Sequence, residues 1–83
     1  MGRRKVTEQD RTRALRLGIA LGQLRGNRLS AERLARLADV SVDTVRKLEQ
    51  GRSAHPGLFI VSAIVHELGG NLSDVVATAE EPS

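Results

Sequence analysis

Apolar residues recur at helical spacing along this chain, and turn-forming residues break the recurrence four times. Ala14, Leu17, Leu21 and Leu24 fall three or four apart, which predicts one buried face of an amphipathic helix. Thr7 opens that helix, and Glu8 and Asp10 suit its positive end. After residues 26–28 a shorter stripe follows, Leu34, Ala35 and Ala38. Ser30 stands before it, with a hydroxyl able to accept from an orphan backbone N–H. Residues 39–41 end the stripe, and Val40 plugs this turn into the core. Ser41 opens a third helix in which Val45 and Leu48 point inward, and Gly51 stops it. A fourth helix is predicted at about 57–68, with Leu58, Val61, Ile64, Val65 and Leu68 as its core stripe. Gly69 closes it. Asn71 then caps a fifth helix, with Asp74 three residues on as in a capping box and Leu72, Val75 and Val76 packing back. The fold class is therefore all-α, a compact bundle of five helices.

Eighty-three residues suit one domain with a modest core. Residues 1–6 read as a disordered basic arm, 7–79 as the domain, and 80–83 as a frayed acidic tail. Arg3, Arg4 and Lys5 in the arm could reach phosphates or a minor groove, or could form a basic tail without a specific role. The chain has no cysteine, which excludes disulfides and thiolate metal sites. His55 and His66 lie eleven residues apart without an acidic cluster, so no metal and no cofactor is expected. Nothing resembles a nucleophile with its base, and the expectation is that this is not an enzyme. No apolar run reaches the ~20 residues that span a bilayer. The basic residues near the start are followed by polar ones, unlike a signal peptide. No membrane partner and a cytoplasmic location are the expectations.

Charge narrows the picture. The net charge is +3, and it is distributed unevenly. Residues 1–36 carry ten Lys or Arg against Glu8, Asp10 and Glu32, whereas residues 54–83 carry none, with Glu67, Asp74, Glu80 and Glu81. Such a gradient points to a basic face for a polyanion, with an acidic tail held away from it. Phe59 is the one aromatic residue. Single-stranded nucleic acid is disfavoured, because reading unstacked bases needs aromatic platforms.

On the third helix, Val42, Asp43, Arg46, Lys47 and Gln50 are left facing outward. A short helix held by one edge fits a major groove about 12 Å wide. In that groove Val42 suits a thymine methyl and Asp43 can accept from cytosine N4. Arg46 and Lys47 can donate to guanine O6 and N7. Without a duplex the same residues would form an ordinary solvated face.

Leu34, Ala35, Ala38, Val40, Ser41, Val45, Leu48, Glu49 and Gly51 resemble the helix-turn-helix of phage-repressor and Cro-type regulators. Leu17, Leu21, Leu24 and Arg25 are similar to that family's first helix. Pro56, Leu58, Val61, Ile64, Val65, Leu68, Gly69 and residues 72–76 are similar to its fourth and fifth. The resemblance covers about 15–77. It implies double-stranded DNA binding by a small transcriptional regulator. It assigns base reading to Val42, Asp43 and Lys47, and Arg46, one turn after Val42, shares that face. It places Arg52 and Ser53 at backbone phosphate and pairs Arg25 with Glu49; Ser41 and Thr44 suit phosphate by their hydroxyls, and Arg28 and Ser30 are expected to join them. The chain departs from the family at three places. Asp39 replaces the usual turn glycine. Ala31 replaces the glutamine that often opens the second helix, so that contact is absent. Residues 26–28 make a loop one residue shorter than usual, which predicts an earlier end or a tilt of the first helix.

The fourth helix is apolar nearly all round. Phe59, Ile60 and Ala63 lie outside its core stripe, which predicts a protein interface and, for a small domain, a homodimer. Burial of these residues against Leu15 and Ile19 of the first helix is the alternative. A different function also fits: an antitoxin-like or adaptor module whose fourth helix binds another protein. Gly18, Gly22 and Gly26 recur every four residues, and they read as tolerated weak points in a surface helix rather than as a close helix approach.

Overall fold

The computed structural model describes residues 6–53 and 55–80. There the chain forms five helices: α1 (Glu8–Arg25), α2 (Ala31–Ala38), α3 (Val42–Glu49), α4 (Leu58–Glu67) and α5 (Leu72–Glu80). The all-α five-helix bundle expected from the apolar spacing is the fold observed. The arm residues Arg3, Arg4 and Lys5, and residues 81–83 of the tail, lie outside the described residues.

Helices of eight residues such as α2 and α3 are marginal in isolation. Docking of their apolar edges holds them. Leu21 of α1, Leu34 of α2, Val45 of α3, and Ile64 and Val65 of α4 form the fully buried centre. Each such side chain contributes roughly 1.5–3 kcal/mol by leaving water. Leu17, Ala35, Leu48, Val61, Leu68, Val75 and Ala79 complete the cluster. The first helix packs on α5 and α3, and α2 packs on α3 and α4.

Where α1 meets the end of α3, the backbones come close together. A Cβ on Gly18 would stand 2.6 Å from the carbonyl oxygens of Leu48 and Glu49. The weak-point reading of the glycine series therefore fails at Gly18, where only hydrogen fits beneath the last turn of α3. At Gly22 a Cβ would meet nothing within 4 Å, so the two positions have different causes.

Two further expectations are corrected. Leu58 was assigned to the core stripe, but it is 61% exposed. It stands at the first position of α4, where it borders a cleft of about 370 Å³ lined also by Ala14, Leu17, Val61 and Val76. Glu80 was assigned to the frayed tail, yet it ends α5 as a helical residue and its carboxylate lies 2.9 Å from Arg13 Nε. Glu80 thus meets the basic first helix instead of standing apart from it.

Candidate nucleic-acid interface

The turn between α2 and α3 is built from local chemistry. Ser30 Oγ accepts from Arg33 N at 3.0 Å and starts α2. The helix ends where Asp39 takes a left-handed conformation, φ 58° and ψ 46°. Val40 N then donates to Ala35 O at 2.9 Å, and Asp39 N donates to Arg36 O at 3.3 Å. These two bonds close a Schellman-type turn, the geometry that usually calls for glycine. Aspartate is among the few other residues that enter this region at modest cost. Ser41 then caps α3, accepting from Thr44 N at 3.1 Å.

Buried Val45 and Leu48 seat α3 against the core, so the opposite edge faces solvent. Asp43, Arg46 and Lys47 occupy that edge, with side chains 67%, 51% and 53% exposed. Val42 departs from the expectation. It is half-buried and packs against the core cluster, because it lies one turn from Val45 on the inward flank. Its side chain is therefore only partly available to a base.

The outward charges are already paired within the protein. Lys47 Nζ lies 3.1 Å from Asp43 Oδ2, four residues back on the same helix. Arg46 Nη2 donates to Glu32 Oε2 at 2.6 Å, linking α3 to the first turn of α2. Both pairs are exposed, and such pairs contribute little to stability in water.

The candidate phosphate contacts surround this edge in different states. Arg28 and Arg52 are exposed. Ser30 accepts a capping bond and keeps its O–H proton for donation. The Ser41 and Thr44 hydroxyls lie 2.8 Å apart, so one O–H between them is engaged and the other can turn outward. Ser53 is half-buried and shares a shallow groove with Thr44, Lys47, Gly57 and Ile60.

Behind the edge stands an ion pair that fixes where α3 ends. Arg25 Nε donates to Glu49 Oε2 at 2.7 Å, and Nη2 donates to Oε1 at 2.8 Å. A third donor, Nη1, reaches Leu29 O at 3.0 Å across the short loop of residues 26–28. Both side chains are mostly buried, with 23% and 16% exposed. The hydrogen bond to Glu49 raises the Arg25 pKa above its ordinary value, against the opposing effect of burial. Far from ending early, α1 continues to Arg25 and places that residue over the loop.

One polar cluster had no clear sequence signal. Asp10 is buried and accepts from Thr7 N at 3.1 Å in a capping box, and its Oδ2 lies 3.2 Å from His55 Nε2. The Thr7-to-Asp10 spacing could have revealed the box. Nothing local in the sequence links residue 10 to residue 55. This contact ties the start of α1 to the loop that carries Arg52 and Ser53. Among the described residues no group of three His, Cys, Asp or Glu is arranged to hold a metal ion. No single helix there is long and apolar enough to cross a membrane.

On α4, Phe59 is 86% exposed, Ile60 is 39% exposed, and Ala63 is half-buried. Leu15 and Ile19 of α1 are themselves 53% and 59% exposed, so burial of Phe59 beneath α1 does not occur.

A comparison with protein families matches residues 16–72, most of the chain, to the family described as a helix-turn-helix domain. The chain belongs to that family, in agreement with its resemblance to Cro and repressor-type regulators. Its class is that of DNA-binding helix-turn-helix proteins. A comparison with curated proteins finds no match.

Proposed function

We propose that this protein is a small transcriptional regulator that reads duplex DNA sequence-specifically as a homodimer. The observation that carries the reading is the solvent-facing edge of α3. Asp43, Arg46 and Lys47 project from a helix whose other edge is locked by Val45 and Leu48. Val42 adds an apolar contact from its partly open flank. Arg28, Ser30, Ser41, Thr44, Arg52 and Ser53 bind backbone phosphate and set the register, while the α3 residues read base edges. Phe59, Ile60 and Ala63 of α4 join two copies. A protomer measuring 36 × 29 × 18 Å is of a size to set paired α3 helices about one DNA turn, ~34 Å, apart. The target is then an inverted repeat.

Selection from random duplexes, followed by a salt titration on the winner, tests this. A selected inverted repeat whose affinity falls steeply with salt is the expected result. Indifference to every duplex at low ionic strength overturns it. Phe59, almost wholly exposed, also favours a second reading, an antitoxin-like or adaptor module that binds a different protein through α4. Solution size separates the two: a dimer supports the regulator, and a lone monomer supports the adaptor.

A further inference from the structure

Arg46 is assigned to base reading, but its partner Glu32 has no part in that assignment. Glu32 occupies the first turn of α2, fourteen residues away in sequence. Its side chain is 58% exposed, and no packing obliges it to meet Arg46. The two nonetheless join at 2.6 Å on the outward edge of the helix-turn-helix. A surface meant only to attract phosphate would not keep a carboxylate there, since it repels the backbone it is to approach.

We propose that Glu32 is a positioning residue that raises the sequence discrimination of Arg46, an inference that rests on the DNA-reading function above. The guanidinium is a planar fork with five N–H donors. Glu32 occupies one terminal N–H, and a bidentate contact to guanine O6 and N7 needs two others. Gripping the fork by one corner limits the directions in which it can point and leaves donors facing the groove. On a cognate site Arg46 keeps Glu32 and gains the base. On random DNA the base at that position seldom offers guanine's paired O6 and N7 acceptors. Arg46 must then either remain on Glu32 or abandon it for a phosphate, which leaves a bare carboxylate beside the DNA backbone. Glu32 thus weakens non-cognate binding more than cognate binding, and specificity gained by penalising wrong partners is a general device.

The test measures affinity for the selected duplex and for a random duplex, across salt, for wild type, Glu32→Gln, Arg46→Ala and the double variant. Glu32→Gln is expected to tighten random binding several-fold and to steepen its salt slope by up to about one. The cognate-to-random ratio should fall several-fold. In the Arg46→Ala background, Glu32→Gln should shift both duplexes by one common factor, because no fork remains to be held. An equal shift on both duplexes with Arg46 present makes Glu32 a bulk charge and overturns the proposal. So does a change in ratio that persists without Arg46. If wild type selects no sequence at all, the DNA-reading function falls, and this assignment falls with it. A selected sequence with an unchanged ratio removes the Glu32 assignment alone.

Discussion

Asp39 is the one non-glycine residue with positive φ among those described, at 58°. An L side chain in that region is strained, and a carboxylate at the C-terminal end of α2 also faces the negative pole of the helix. Asp39→Gly removes both penalties at the expense of a looser unfolded chain. A net gain of about 1 kcal/mol is expected, visible as a rise in Tm of roughly 4–8 °C. Nearby, Lys47 and Arg52 separate two kinds of contact. Lys47→Ala should lose about 1–3 kcal/mol of discrimination between the selected duplex and a single-base variant. Arg28→Ala or Arg52→Ala should weaken cognate and random duplexes alike and flatten the salt slope by about one each. Equal loss on both duplexes for Lys47→Ala would remove it from the base-reading set.

At the level of elements, the α1–α3 junction decides how rigidly the recognition edge is held. Gly18 lies beneath the last carbonyls of α3, and Gly22 faces open space. Gly18→Ala forces the helices apart and should cost about 1–3 kcal/mol, as overpacking does. Gly22→Ala should instead stabilise by about 1 kcal/mol, the ordinary helix preference. Thermal denaturation of the pair checks both signs, and equal effects would refute the close approach. Arg25 and Glu49 secure the same junction from the side. Either single alanine variant strands a mostly buried charge, so each should cost on the order of 2 kcal/mol. The double variant should be far less destabilised than the sum. A cycle that closes additively would show the two side chains to be independent.

At the level of the molecule, the cations are unevenly distributed. The basic groups lie in the first two-thirds of the chain, and α4 and α5 carry no Lys or Arg. The α4 surface, bearing Phe59 at 86% exposure, suits self-association. Phe59→Lys should convert a dimer into a monomer of 9.0 kDa by sedimentation. It should also abolish preference for an inverted repeat over a single half-site. Unchanged mass would assign the α4 surface to another role.

The apolar spacing and the capping residues were enough to locate the five helices of the described residues, because a helix is written in contacts three and four residues apart. Ser30 and Ser41, and the stops near Asp39, Gly51 and Gly69, are legible for the same reason. So is the outward placement of Asp43, Arg46 and Lys47 once Val45 and Leu48 are taken as buried. Docking angles are set by side chains far apart in sequence, and these decided the rest. Leu58 lies on the predicted stripe yet borders an open cleft, and Val42 lies on the predicted outer face yet leans inward. Gly18 is a contact point and Gly22 is not, although they share a spacing. Glu32 finds Arg46, Glu80 finds Arg13 and Asp10 finds His55 only after the helices have met. Local periodicity therefore determined the elements, and the residue types at those positions carried the family resemblance. Tertiary packing alone decided the charge pairs between helices, Arg46 with Glu32 and Arg13 with Glu80, because those choices depend on separations that no periodicity encodes.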